Sequence, residues 1–135
     1  MAIAQSRCSF CIAHWDEETT REFPDGSKFT RAAVTQSYNG DMAGDSTVEY
    51  LMAYAPSGTV KFVGMELLSG SIGGRRGTVL IQHDGLFAHG VAHSTWHFVE
   101  GSGTEELISL HGSGTYESVD AQTVNSSFIY TFGEG

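Results

Sequence analysis

Basic residues are scarce in this chain: seven Lys and Arg stand against sixteen Asp and Glu, for a formal net charge of −9 over 135 residues. A surface of that sign excludes nucleic acid as a partner, because phosphate recognition needs a basic face. It excludes an anionic membrane surface for the same reason. Long apolar runs are missing too. The longest, Leu51 to Ala55, is far too short to span a bilayer. The opening residues Met1-Ala2-Ile3-Ala4-Gln5-Ser6-Arg7 lack the apolar centre of a signal peptide, so the expected location is the cytoplasm. Without secretion, the sequon Asn125-Ser126-Ser127 carries no meaning. No window holds a sustained helical period, which leaves helix a minor component. Linkers, low-complexity tracts, nucleotide fingerprints, phosphate loops and serine-nucleophile motifs are all absent, and nothing implies a cofactor.

Charged residues make up 17% of the chain and apolar ones 40%, the balance of one globular domain over 1–135 with a real core. Turn signals recur at short intervals: Pro24-Asp25-Gly26, Asn39-Gly40, Pro56-Ser57-Gly58, Gly73-Gly74, Asp84-Gly85, Gly101-Ser102-Gly103 and Gly112-Ser113-Gly114. Between them lie segments rich in Val, Thr, Tyr, Phe and Ile. They predict strands over 7–15, 28–38, 45–55, 59–69, 76–83, 87–99, 106–111 and 123–132. Eight such strands in one short domain predict an all-β fold, a closed eight-stranded antiparallel β-barrel, since closure removes exposed edges.

Alternation assigns the faces. Val48, Tyr50, Met52 and Tyr54 share one face of the third strand, opposite Thr47, Glu49, Leu51 and Ala53. Ala92, Ser94, Trp96 and Phe98 oppose Val91, His93, Thr95 and His97. In the last strand Val124, Phe128, Tyr130 and Phe132 oppose Asn125, Ser127 and Thr131. The fourth strand is apolar on both faces, with Phe62 and Leu68 against Val63, Met65 and Leu67. Its outer face needs a cover, which is a helix, a long loop or a second subunit. A homo-oligomer is the expected assembly.

The motifs that suggest metal chemistry fail on strand geometry. Cys8-Ser9-Phe10-Cys11 puts its thiols on opposite faces of a strand, so they do not share an ion, and His14 does not cure this. Two half-buried, reduced cysteines are expected. His89, His93 and His97 are four apart, which on a strand spans about 13 Å. They form a row on one surface that cannot share a zinc, although near-neutral titration would make such an interface pH-sensitive.

Glu66 interrupts the apolar strand Val63-Gly64-Met65-Glu66-Leu67-Leu68. A carboxylate there faces solvent or is buried with a partner. The tight Gly73-Gly74 connection makes the following strand, with Gln82 and His83, its hairpin neighbour. The register leaves Glu66 opposite Gln82, His83 or neither. If Glu66 and His83 share the lumen, they form either a structural hydrogen bond or an acid–base pair. Tyr50 is the companion proton donor in the catalytic reading. Arg31 pairs with Glu49 or Glu66, while Arg75 and Arg76 are exposed turn cations. Trp15 and Trp96 are expected in the core, and either can floor a pocket. The candidate ligand-binding residues are Arg31, Glu49, Tyr54, Gln82 and Trp96.

Several segments together resemble a bacterial family known as domain of unknown function 3224. They are Trp15-Asp16-Glu17, Thr30-Arg31-Ala32 with Val34, Gly40-Asp41 with Gly44, Glu49-Tyr50-Leu51-Met52-Ala53-Tyr54, Phe62-Val63-Gly64-Met65-Glu66 and Gly73-Gly74-Arg75-Arg76-Gly77. Gln82-His83-Asp84-Gly85 and Trp96 leading into Gly101-Ser102-Gly103-Thr104 complete the match over nearly the whole chain. Where the family pattern has a second glycine after that threonine, Glu105 stands. The resemblance implies a barrel like that of allene oxide cyclase, often oligomeric. It supplies no catalytic residue. Three functions remain open: a barrel that binds a small hydrophobic molecule among Tyr50, Tyr54, Trp96, Phe98, Phe128 and Tyr130; a cofactor-independent cyclase or isomerase using Glu66 or His83 in that cavity; and a structural barrel whose lumen is filled.

Overall fold

The computed structural model describes residues 3–118 and 123–133. Eight strands follow one another around a closed antiparallel barrel: β1 (Ala4–Glu22), β2 (Lys28–Gly40), β3 (Met42–Tyr54), β4 (Val60–Ile72), β5 (Arg75–Ala88), β6 (Val91–Phe98), β7 (Leu110–Ser118) and β8 (Val124–Phe132). β8 pairs back onto β1, with Cys8 opposite Ser126, so no sheet edge is left open. Among the described residues no helix is long and apolar enough to cross a membrane.

The alternation assigned from sequence holds. Val48, Tyr50 and Met52 are buried, as are Ser94, Trp96 and Phe98, and Val124, Ser126 and Phe128. Their outward neighbours are exposed. Cys8 points inward and Cys11 outward. The fourth strand buries Phe62 and Leu68 and exposes Val63, Met65 and Leu67, and no helix or loop of the described residues lies over them.

The largest departures from the expected strand limits fall on the fifth to seventh strands, where glycine explains them, and on the first. The fifth strand continues through Asp84-Gly85 to Ala88, so the sixth begins at Val91 rather than at 87. The seventh runs from Leu110, through Gly112-Ser113-Gly114, and not over 106–111. These glycines are not turns. Each faces an aromatic ring across the ladder: Gly85 is paired with Phe62, and Gly114 with Trp96. A Cβ on Gly85 would lie 2.2 Å from the Phe62 ring, and one on Gly114 would lie 2.4 Å from the Trp96 indole. Gly64 makes the same space for Tyr50, its register partner. Rings laid over bare backbone are a known way to stabilise glycine inside a sheet.

The first strand, β1, is longer than expected at both ends and carries two irregularities in its pairing with β2. The first lies between Ile12 and His14. Before it, Phe10 faces Tyr38 and Ile12 faces Gln36. After it, Trp15 faces Val34 and Glu17 faces Ala32. One extra residue, Ala13, therefore switches the inward set from even to odd numbers. Without that bulge, His14 and Asp16 would occupy those positions and Trp15 would point to solvent.

The connection from β6 to β7 closes one end of the barrel. Its 3₁₀ turn, Glu105–Leu107, drives Leu107 fully into the core. Thr104 N–H donates to the Thr78 carbonyl at 2.9 Å, and Thr78 N–H donates to Thr104 Oγ1 at 3.0 Å. Glu105 takes φ 53°, the left-handed backbone that favours glycine, so the loop carries the strain of a side chain there.

Candidate functional site

The interior divides into two apolar clusters. One fills the closed end around Met42, Leu68, Ile72, Ile81, Trp96 and Phe128. The other lies toward the opposite end around Ala32, Val34, Val48, Tyr50, Met52 and Phe62. Between them sits a polar layer built on Glu66. This carboxylate is 0% exposed and His83 is 2% exposed. The pairing of β4 with β5 sets Glu66 against Ile81 and His83 against Gly64, so the two side chains meet on a diagonal of the same inner face.

Glu66 Oε2 accepts from Ser46 Oγ at 2.5 Å, Tyr38 Oη at 2.7 Å and Gln36 Nε2 at 3.1 Å. Three donors on one oxygen describe an ionised carboxylate. Oε1, at 2.6 Å from His83 Nε2, then accepts from that N–H. His83 Nδ1 lies 3.1 Å from Ser94 Oγ. The layer is satisfied throughout, as a buried ionic group must be. Burial, followed by the Glu66 charge, pushes the Tyr38 phenol well above its ordinary value. Burial also raises the phenols of Tyr50 and Tyr116, whose hydroxyls lie 3.5 Å apart, so all three rings stay neutral.

Above this layer a cavity of about 380 Å³ opens toward the end formed by the β3–β4 and β5–β6 hairpins. Tyr50, Met52, Phe62 and Phe87 are among its walls, while Gln36, Tyr50 and Tyr116 supply its polar floor. Among the described residues no charged side chain lines it. Glu66 and His83 are not among its lining residues; Gln36 touches both the cavity and Glu66, and the Tyr50 and Tyr116 rings pack edge-on against His83.

At the mouth stands a second carboxylate that the sequence reading passed over. Glu17 Oε2 accepts from Tyr54 Oη at 2.5 Å and Thr30 Oγ1 at 2.6 Å, and Oε1 accepts from Trp15 Nε1 at 3.0 Å. Trp15 is not a core residue: it is 42% exposed and lies roughly parallel to Tyr50, with centroids 6.2 Å apart. Partial burial pushes the Glu17 carboxyl up. Hydrogen bonds from Thr30, Tyr54 and Trp15, with the nearby Lys28 charge, outweigh that and hold it below its ordinary value of 4.5. A carboxyl lowered in the folded state stabilises the fold fully above its unfolded value and loses that contribution as pH falls through the folded one. An acid titration followed by tryptophan emission is therefore expected to show a Trp15 transition centred below 4.5. Glu17→Gln should remove it; a midpoint at or above the ordinary glutamate value would contradict the network.

The other sequence candidates are placed as follows. Glu66 and His83 meet inside the lumen, with Tyr50 beside His83. Tyr54 reaches the mouth. Trp96 is buried in the closed half, where its indole donates to Ser126 Oγ at 3.2 Å and does not reach the cavity. Phe98 and Phe128 lie beside it, and Tyr130 packs against that cluster. Arg31 and Glu49 form an exposed pair at 2.5 Å on the outer face, and Gln82 also points outward. His93 lies 3.5 Å from Glu117 on the outside, and His89 sits in the β5–β6 turn. Gln36, Tyr38 and Tyr116 complete the polar layer, and no spacing in the sequence connects them. Among the described residues no cluster of His, Cys, Asp and Glu could hold a metal ion.

A family model described as "Protein of unknown function (DUF3224)" matches residues 6–130. No curated protein matches the chain. Among solved structures, a crystal structure of a protein of unknown function from that family, from Shewanella oneidensis MR-1, superposes with a TM-score of 0.79 at 22% identity. The alignment covers 99% of this chain and 100% of that one, and at this identity it shows the shared barrel.

Proposed function

The chain belongs to the DUF3224 family of proteins of unknown function, and on that premise we propose that its barrel is a receptor for a small, mainly apolar molecule. The observation that carries this reading is the half-filled lumen. Side chains fill one end, and about 380 Å³ is left at the other, where the described lining residues are uncharged and the cavity opens to solvent. That volume falls within the range of small-molecule pockets, and few convergent polar groups over an apolar wall is their usual composition. Gln36, Tyr50 and Tyr116 would orient one polar atom of the ligand at the floor.

A cyclase or isomerase in the same cavity needs an acid–base group that touches substrate. Gln36, Tyr50 and Tyr116 stand between the cavity and the Glu66–His83 pair, and the phenols are held neutral. That favours binding over chemistry. The test is titration with phenylnaphthylamine, an uncharged probe that fluoresces in apolar surroundings. Saturable binding is expected, weakened at least tenfold in Ala92→Trp, which places an indole on the cavity wall. An absence of saturable binding, or equal binding by the variant, would overturn the reading.

On the outside, we assign the exposed face of β3, β4 and β5 to a second copy of this chain. Leu51 faces Val63 and Leu67 faces Leu80, with Met65 between them, in one continuous apolar stripe. The charges beside it are already matched within the chain, Arg31 with Glu49 and Lys61 with Asp84. Asp16 is a further charge bordering this patch, but with those two pairs matched internally the patch carries little of the chain's net charge of −9, so it is a place where two copies can meet with little repulsion.

A further inference from the structure

We infer that the mouth selects ligands carrying a cationic nitrogen, with the apolar body in the lumen and the ammonium head between Glu17 and the indole of Trp15. This rests on the lumen being a binding cavity and adds the class of molecule it takes. Among the described residues the cavity wall has no charge of either sign, so an ionic ligand is best accommodated with its charged end at the opening, where water and rim residues can solvate it. The rim then decides the sign.

Three features of the rim favour a cation. The bulge at Ala13 turns both Trp15 and Glu17 toward the lumen. Trp15, which lines the cavity, is exposed enough to offer an indole face, the best aromatic surface for a cation. Glu17 Oε1 accepts one hydrogen bond, from Trp15 Nε1, whereas Oε2 accepts two, so a carboxylate acceptor position remains on the side of the indole. Glu17 forms no ion pair among the described residues. Lys28, whose charge acts on Glu17, has its ammonium over the Tyr54 ring, 4.9 Å from the centroid. It engages the rim by the same cation–π contact, and the Trp15 indole, one face of which lies toward Tyr50, stays 42% exposed. Thr30 and Tyr54 fix the carboxylate from below, so the head group meets a site that is already ordered. An anionic head would meet Glu17 at the same spot and be repelled, in a chain whose net charge is −9.

The experiment compares three ligands of one chain length, octylammonium, octanol and octanoate, by calorimetric titration at neutral pH, with phenylnaphthylamine displacement alongside. Octylammonium should bind at least tenfold more tightly than octanol, and octanoate most weakly. Rising salt should shrink the preference, because it rests on charge. In Glu17→Gln the ratio of amine to alcohol affinity should fall to about one, since the head loses its charged partner. Octanol binding as well as octylammonium in the unaltered protein would overturn the cation assignment and leave the apolar lumen standing. An amine preference that persists in Glu17→Gln would overturn the role of Glu17. Failure of all three ligands and of phenylnaphthylamine would overturn the binding lumen and this inference with it. The salt series on the unaltered protein keeps the test decisive even if Glu17→Gln folds poorly.

Discussion

His83→Leu is expected to lower the free energy of unfolding by about 3–5 kcal/mol, the largest stability effect of any single substitution considered for this chain. The reason is the residue left behind. Glu66 is fully buried, and among the described residues His83 Nε2 is the hydrogen-bond partner of its Oε1. Leucine fills much of the imidazole volume but leaves Oε1 without a donor in a medium that cannot supply water. Glu66→Gln should cost less, about 1–2 kcal/mol, because an amide oxygen can still accept from Ser46 and Tyr38 and no ion is stranded. Combining the two should cost distinctly less than their sum, with a coupling of about 1–3 kcal/mol, as expected for residues in one network. Urea unfolding followed by tryptophan emission measures all three. A His83→Leu cost below about 1 kcal/mol, or strict additivity, would remove the pair from the centre of the fold.

The same variants separate structure from ligand orientation. Glu66 and His83 do not line the cavity, so phenylnaphthylamine affinity in Glu66→Gln should stay within about twofold of the unaltered protein, a difference of under half a kcal/mol. A loss of tenfold or more would mean that the carboxylate reaches the ligand through Gln36, and the acid–base reading of the pair would regain force.

How far the sequence foretold this site depends on which physical rule placed each residue. Period-2 alternation fixes a side chain's face without knowing its neighbours, which is why the inward rows of β3, β6 and β8 were readable, and why Glu66 stood out in an apolar strand. Register needs the partner strand, so Glu66 opposite Gln82, His83 or neither stayed open until the ladder set them on a diagonal. Gln36, Tyr38, Ser46 and Ser94 join that layer from other strands, and polar residues on separate strands give no local sign of converging. Glu17 at the mouth went unnoticed for a different cause. A β-bulge leaves no compositional mark, and a single residue, Ala13, reverses the parity that would otherwise place Trp15 and Glu17 outside. Glycine misled in the same way: Gly85 and Gly114 read as turns because the ring that covers each lies on another strand.

Met65→Lys with Leu67→Lys is expected to raise the dissociation constant of a homodimer by about a thousandfold or more, near 4 kcal/mol, while leaving the barrel folded. Both side chains point away from the lumen, so lysine there alters no core contact. Leu51, Val63, Met65 and Leu67 are each between 44% and 53% exposed. With Leu80 they offer on the order of 350–400 Å² of apolar surface, about half of what one partner buries in a standard interface. That makes the stripe suited to be the dry centre of a two-fold contact, with the internally paired Arg31–Glu49 and Lys61–Asp84 charges as its polar rim. Two ammonium groups at that centre would be desolvated and face their own copies across the axis, which is costly twice over. Sedimentation equilibrium of the unaltered protein at micromolar concentration should give twice the chain mass, and the double variant should give the chain mass with an unchanged urea midpoint. A monomer in the unaltered protein would leave the face without this partner. The ligand mouth lies at the hairpin end of the barrel and the stripe on its side, so the two properties should separate: the double lysine variant should dissociate and still take up phenylnaphthylamine.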